Sequence, residues 1–155
     1  MARPIRHGID YFPLDVDTDQ DDKLAMIIGE FGIKGEIIYI KLLAWIYKNG
    51  GYYTSWNEME ELKFAKRVAY IDGALVNLIK EIVQRCCKWG LFDKPVFDAF
   101  RILTSQRIQK TWVEATRKRK DRVIQKEIWL IGDNGALQAE ETPLKAEETI
   151  QSKGN

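Results

Sequence analysis

The sequence predicts a mainly α protein of the α+β class, on three observations. One segment, residues 33–48, is apolar around nearly its whole circumference when placed on a helix. Four further segments combine a helix-capping residue with helical spacing of apolar residues. Short apolar runs near residues 52–56 and 91–103 predict a small amount of β structure.

The N-terminal part predicts a flexible start followed by a capped helix. Residues 1–9 are expected to be a flexible N-terminus. The aspartates that follow have the spacing of an EF-hand calcium loop, but Gln20 stands where that loop needs Gly and Met26 where it needs Glu. We therefore expect no metal site. One of Asp19, Asp21 and Asp22 is expected to cap a helix over residues 21–31, which Gly32 ends.

The apolar segment 33–48 predicts a central, buried helix. Lys34, Lys41 and Lys48, spaced seven residues apart, form a narrow polar stripe on it. Because apolar area left in water is unfavourable by about 25 cal/mol per Å², we expect other elements to enclose this helix. It is too short and too charged to span a bilayer, so no membrane partner is expected.

The middle of the chain predicts a short strand and two helices. An aromatic and β-branched run at 52–56 reads as the strand, and Asn57 then caps a helix over 58–68. Asp72 caps the next predicted helix, residues 73–89. That helix is two-faced, with apolar residues on one side and polar or charged residues on the other.

The last third predicts a hairpin, a basic helix and a tail. Two apolar runs around Lys94-Pro95 suggest a β-hairpin over 91–103. Thr104 or Ser105 then caps a long helix to about residue 122. Residues 123–131 are either a short strand or a docked extension, and residues 132–155 are expected to be a disordered acidic tail. The predicted folded domain is therefore 10–131.

Composition excludes several classes of function. Cys86 and Cys87 are adjacent in a helical pattern, so we interpret them as reduced and partly buried. There is no glycine-rich phosphate loop, no Cys/His cluster and no nucleophile with a neighbouring base, so neither an enzyme nor a cofactor is predicted. No apolar run follows the basic start, so we expect no secretory signal and a cytoplasmic location.

The net charge of +1 hides strongly charged blocks. Six aspartates and no basic residue lie within residues 10–22, whereas residues 101–126 hold nine Lys or Arg against two acidic residues. Such a basic block is typical of a surface that neutralises phosphates. A solvated helix end with cations near its C-terminus is the alternative.

The order of the predicted elements is that of a winged helix-turn-helix with a small β-hairpin wing and an extra C-terminal basic helix. The helix over 73–89 would then be the recognition helix and 91–103 the wing. The polar face of the predicted helix over 73–89 is equally consistent with an ordinary solvated surface. The carboxylate of Glu81 on this face would repel phosphates. The predicted DNA-binding residues lie on this helix, on the wing and in the basic block: Asn77, Lys80, Gln84, Lys88, Lys94, Arg101, Arg107, Lys110, Arg117, Lys118, Arg119, Lys120 and Arg122.

Several motifs together resemble one family. They are YFPLDVD (11–17), EFGIKG (30–35), YIKLL (39–43), FAKR (64–67), GLFD (90–93) and ILTS (102–105). Over residues 7–131 the sequence is similar to the N-terminal, Lin-type domain of phage-related, DnaD-like replisome organisers. The resemblance implies a winged-helix domain that acts in replication initiation by binding DNA, self-associating and recruiting the replicative helicase or its loader. Family members usually continue into a further C-terminal region, so a stand-alone or truncated module is expected here.

The leading hypothesis is thus a non-catalytic DNA-binding module of phage-type replication. A protein–protein module for oligomerisation or for a helicase loader is the first alternative, suggested by a surplus of aromatic residues. A prophage transcriptional regulator is the second.

Overall fold

The computed structural model describes residues 7–71, 76–132 and 138–139. In these residues the chain forms six α-helices and two small two-stranded sheets. The helices are α1 (Asp22–Phe31), α2 (Ile33–Asn49), α3 (Glu58–Arg67), α4 (Val76–Lys88), α5 (Lys94–Phe100) and α6 (Gln106–Ala115). The strands are β1 (Thr54–Ser55), β2 (Ile102–Leu103), β3 (Val123–Ile124) and β4 (Gln138–Ala139). Among the described residues no helix is long and apolar enough to cross a membrane.

The first helix begins and ends as predicted. The Asp21 side chain accepts hydrogen bonds from the amides of Lys23 and Leu24, at 2.9 and 3.1 Å, and so caps α1. Gly32 follows α1 with φ of 69°, a conformation in which most other residues are strained. The prediction of a helix over 21–31 ended by glycine is confirmed.

Helix α2 is central to the core but is not enclosed on every side. Its Ile38, Leu42 and Ile46 are fully buried, as the apolar pattern predicts. Ile33 and Ile37, however, are 78% and 37% exposed. The prediction of the helix is therefore confirmed, whereas the prediction that neighbours surround it is wrong for this face.

Helices α3 and α4 follow as expected. Asn57 accepts a hydrogen bond from the amide of Glu60 at 2.9 Å and caps α3. The predicted cap of α4, Asp72, lies outside the described residues. The strand between α2 and α3 is shorter than predicted and pairs antiparallel with β2, with Thr54 opposite Leu103 and Ser55 opposite Ile102.

The predicted β-hairpin over 91–103 is wrong, because residues 94–100 form α5. Asp93 accepts a hydrogen bond from the amide of Val96 at 3.0 Å, which caps this helix, and Pro95 occupies its first turn. Only β2 remains of the expected wing. The described residues therefore form a mainly helical fold with one small antiparallel sheet, which consists of β1 and β2.

The predicted basic helix to residue 122 is also wrong, because α6 ends at Ala115. The Thr116 hydroxyl donates to the carbonyl of Trp112 at 2.7 Å, and the chain then turns. The residues after the turn return to the core as the expected docked extension, in which Ile124 and Ile128 are buried. One short strand, β3, pairs in parallel with β4.

The N-terminal segment of the described chain packs on α2 and α6. The Ile9 amide donates to the Tyr47 carbonyl at 2.8 Å, and the Trp112 indole donates to the His7 carbonyl at 2.7 Å. Gly51, with φ of 85°, permits this approach, because a Cβ there would lie 2.0 Å from the His7 carbonyl oxygen. Residues 7–9, which belong to the segment predicted to be flexible, thus contact the core. Residues 1–6 and most of the predicted tail lie outside the described residues.

Candidate nucleic-acid interface

Helix α4 is two-faced in the structure, as its sequence pattern predicts. Ile79, Ile82, Val83, Cys86 and Cys87 are buried on its inner side. The predicted contact residues Asn77, Lys80, Gln84 and Lys88 are exposed along its outer side. Because successive members of this set are three or four residues apart, they form one polar strip.

A three-residue clasp fixes α4 against α1. Glu30 of α1 lies 2.6 Å from the guanidinium Nη2 of Arg85 and also accepts a hydrogen bond from the indole of Trp89 at 3.1 Å. The hydrogen bond from Arg85 holds the pKa of Glu30 below its usual value. This clasp could not be predicted from the sequence, since a carboxylate 55 residues from its arginine leaves no local signal.

Three predicted residues meet at one place on the outer face. Lys80, Gln84 and Arg101 line a cavity of about 170 Å³. Its floor holds Glu61, which is buried, accepts a hydrogen bond from the Trp56 indole at 3.2 Å and lies 3.6 Å from the Lys80 ammonium. The structure thus brings the end of α5 beside the middle of α4.

Arg101 reaches this cavity from an unusual backbone conformation. Its φ of 53° makes it the one non-glycine residue with positive φ in the described part of the chain. Its guanidinium lies 4.4 Å from the centre of the Phe97 ring, a cation–π contact. Its Nε is buried and has no hydrogen-bond partner among the described residues. Arg101 therefore retains donor capacity that the fold does not use.

Lys88 and Lys94 lie near the ends of α4 and α5. The Lys88 ammonium is 5.1 Å from the centre of the Trp89 ring. Lys94 forms an exposed ion pair with Asp98 at 2.7 Å, and the hydrogen bond to that carboxylate raises the pKa of the lysine. Both cations remain at the surface.

The basic block on α6 and beyond is less uniform than predicted. Arg107 pairs with Asp21 at 3.3 Å, and Arg117 pairs with Glu114 at 3.2 Å. Lys110, Lys118 and Lys120 are exposed.

Two arginines of the block serve the fold instead of the surface. Arg119 donates to the carbonyl of Gly8 at 2.9 Å. Arg122 is only 8% exposed and donates to the carbonyl of Val113 at 3.3 Å. The expectation that the whole block faces solvent along one helix is therefore wrong, because the chain turns at Thr116 and these side chains point back.

The remaining reactive side chains are sequestered. Cys86 and Cys87 are free and buried, and burial raises the pKa of Cys87 to about 12. The prediction of reduced, buried cysteines is confirmed. In the described ranges no cluster of three or more His, Cys, Asp or Glu is placed to hold a metal ion.

Comparison with known proteins gives a family relationship. Residues 11–108 match the family model described as Lin1244/Lin1753-like, N-terminal. A Listeria innocua protein described as uncharacterized phage-related protein Lin1244/Lin1753 is 44% identical over 131 residues. The matched region covers 84% of this chain and 41% of that relative, so the chain spans less than half of the relative's length. No solved structure matches.

Proposed function

Because this chain belongs to the Lin1244/Lin1753-like N-terminal family of phage-related proteins, we propose that it is a non-catalytic DNA-binding module of phage-type replication initiation, similar to DnaD-like replisome organisers. The observation that carries the proposal is the meeting of Lys80, Gln84 and Arg101 on the outer face of α4. Cationic side chains contact phosphates, and amide and guanidinium groups also contact base edges in the major groove.

The arrangement of α3 and α4 supports the use of α4 as a recognition helix. The two helices pack together and follow each other in sequence, and the β1–β2 pair packs on α2 and α5. Helix α5 takes the place where a hairpin wing was predicted. In the proposed complex, Arg101 at the end of α5 supplies the contact that a wing residue would make.

The ion pairs at this surface differ in how far they oppose DNA binding. Lys94 pairs with the exposed Asp98 at 2.7 Å, and exposed pairs of this kind contribute only about 0–1 kcal/mol. A phosphate can therefore compete for Lys94, and each phosphate neutralised releases counterions. Lys80 lies 3.6 Å from the buried Glu61, but its own side chain is half exposed and can contact a phosphate without leaving that carboxylate.

The proposal is tested by fluorescence anisotropy with labelled duplex and single-stranded DNA at several salt concentrations. We expect duplex binding that weakens with salt. The variant Gln84→Ala/Lys88→Met removes two exposed side chains for which no ion pair with a described residue is found. It should bind several-fold more weakly. Loss of one phosphate contact should also flatten the log–log salt slope by about one.

Lys66→Met is the matched control, because Lys66 is an exposed lysine on α3 outside the proposed interface. It should bind like the wild type. Absence of duplex binding at low salt, or equal salt slopes for all three proteins, would refute the proposal.

A second candidate function is protein–protein assembly, with a second copy or with a helicase or its loader. The aromatic surplus supports it less than expected, because Tyr52 and Trp56 are fully buried, although Tyr53, Trp89 and Trp129 are only half-buried. The exposed Ile33 and Ile37 do support it. Lys41 lies one helical turn after Ile37 on α2, and its ammonium is 5.9 Å from the ring of the exposed Tyr70, which extends this surface.

Light scattering tests this second candidate. Self-association that the variant Ile33→Ser/Ile37→Ser abolishes would favour it, and a monomer at all concentrations would exclude a second copy as the partner.

A further inference from the structure

A different cavity, of about 290 Å³, lies where α1 and α6 begin. The residues that define it are Lys23 of α1, Tyr39 of α2, Ser105 and Arg107 at the start of α6, and Gly90 and Asp93 in the loop after α4. Of these only Arg107 was among the predicted DNA-binding residues. The cavity is therefore separate from the polar strip on α4.

The electrostatics of this cavity favour an anion. Its two carboxylates already serve the fold: Asp21 caps α1 and pairs with Arg107, and Asp93 caps α5. The Lys23 ammonium, by contrast, makes a long contact of 3.5 Å to the Gly90 carbonyl and no ion pair with any residue that the structure describes. Two helices of ten residues, α1 and α6, also direct their positive N-terminal ends at this space.

Tyr39 provides an independent indication that a ligand binds here. Its side chain is 4% exposed, its ring packs against Phe92 and it lines the cavity. No hydrogen bond of its hydroxyl to another described residue is found, and the hydroxyl is not among the fully buried polar atoms. A tyrosine hydroxyl that reaches a cavity without a protein partner is free to donate to a ligand there. Burial also raises the pKa of Tyr39, which keeps the hydroxyl a donor at neutral pH.

An adjoining cavity of about 350 Å³ shares Tyr39 and Arg107 with the first. Its other walls are mainly apolar and aromatic, with Phe12, Leu43 and Tyr47, and the rings of Phe12 and Tyr47 stack with their centres 4.7 Å apart. Asp15, Thr18 and Thr111 add polar groups to this lining. A partly aromatic space next to an anion-binding space suits a ligand that joins a flat, polar ring system to an acidic group. Aromatic side chains bind nucleobases in this way.

We propose that the two cavities together bind a nucleoside monophosphate. The phosphate accepts hydrogen bonds from Lys23, Arg107, the Tyr39 hydroxyl and the first-turn amides of α6, which have no partner within the helix. The base packs beside Phe12 and Tyr47. A free nucleotide and the phosphorylated 5′ end of a DNA strand both present this chemistry.

Calorimetric titration with deoxyadenosine 5′-monophosphate tests the proposal, with deoxyadenosine and inorganic phosphate as partial ligands. Tyr39→Phe keeps the ring and removes only the hydroxyl, so binding should weaken about tenfold, as expected for a lost hydrogen bond to a charged group. Lys23→Met should have a similar effect. Lys66→Met, far from the cavity in sequence and on α3, should leave binding unchanged.

Oligonucleotides with and without a 5′ phosphate separate the two sources of the ligand. Tighter binding of the phosphorylated oligonucleotide, lost in Tyr39→Phe, identifies the strand end; binding of the mononucleotide alone identifies a free nucleotide. No binding of the mononucleotide at millimolar concentration, or affinity that both cavity variants leave intact, would overturn the proposal. A mononucleotide that binds no tighter than phosphate would overturn the nucleoside part. None of these results depends on Lys88 or Gln84, so the duplex-binding proposal stands or falls separately.

Discussion

At the residue scale, Arg101 has both an unfavourable backbone conformation and a place in the proposed interface. A non-glycine residue with positive φ is destabilised by about 1–2 kcal/mol, and asparagine tolerates that conformation better than most residues. The guanidinium held over Phe97 compensates for part of this cost. The unfavourable backbone conformation is thus consistent with a functional role for the Arg101 side chain.

Arg101→Asn tests that interpretation. We expect the free energy of unfolding to change by less than about 1 kcal/mol, because relief of strain offsets the lost ring contact. Duplex affinity should fall by about fivefold or more. Urea unfolding and anisotropy measure the two effects, and Arg67→Asn, an exposed arginine at the end of α3, is the control. Unchanged duplex affinity in the folded variant would remove Arg101 from the interface.

Residues with local partners could be predicted from the sequence, and residues with distant partners could not. Asp21, Asn57 and Ser105 cap helices by accepting from amides two or three residues ahead. The pattern alone therefore identifies Asn57, and it limits each of the other two caps to a few adjacent residues. Arg119, whose partner Gly8 is 111 residues away, had no such signal. Its charge predicted a surface role, whereas its hydrogen bond serves packing.

At the element scale, the position of α4 depends on its clasp with α1. Because the folded-state pKa of Glu30 is lowered, the clasp contributes stability above the pKa of the unfolded chain, near 4.5. That contribution is lost as pH falls through the folded-state pKa. The stability of wild-type protein should therefore decrease on acidification below about pH 5.

Glu30→Gln should lower stability at neutral pH and flatten this acid dependence. Thermal unfolding at pH 7, 5 and 3 measures both effects. The control is Glu127→Gln, which removes an exposed carboxylate for which no ion pair is found in the described residues. Parallel pH profiles for wild type and Glu30→Gln would show that the clasp contributes nothing.

The elements mispredicted from sequence are those with two plausible local interpretations. Asp93-Lys94-Pro95 fits a turn between strands, but it also fits a capped helix with proline in its first turn, which is the structure found. The helical spacing of Val96, Phe97 and Phe100 is the sequence signal that would have distinguished α5 from a hairpin. In α6, the charged run after Thr116 carried no stop signal of its own, and the end of the helix depends on tertiary contacts.

At the scale of the whole molecule, α6 holds both flanks of the chain in place. Gln109 is fully buried in it; its amide group donates to Thr104 and to the Ile128 carbonyl and accepts from the Leu130 amide. The Tyr52 hydroxyl accepts from the Gln125 amide at 2.8 Å. The extension after the basic turn is therefore integrated into the core.

Gln109→Ala should destabilise the protein by about 2 kcal/mol or more, because it leaves buried polar groups unpaired. Hydrogen exchange should accelerate most at residues 128–130. Gln106→Ala, an exposed glutamine one turn earlier, is the matched control and should change stability by less than about 0.5 kcal/mol. Equal stability of the two variants would contradict the role assigned to Gln109.

The same docking divides the predicted basic surface into two parts. One part is the face of α4 with Arg101, and the other is the exposed cations of α6 and the following turn, Lys110, Lys118 and Lys120. Composition could predict the excess of charge but not this division, which depends on where α6 ends.

Chemical-shift mapping of isotope-labelled protein titrated with duplex DNA tests directly whether α4 is the DNA-binding element. We expect the largest shifts at Asn77, Lys80, Gln84, Lys88 and Arg101. Smaller shifts are expected at Lys118 and Lys120. Shifts confined to the turn after α6 or to the exposed face of α2, with α4 unchanged, would contradict this assignment.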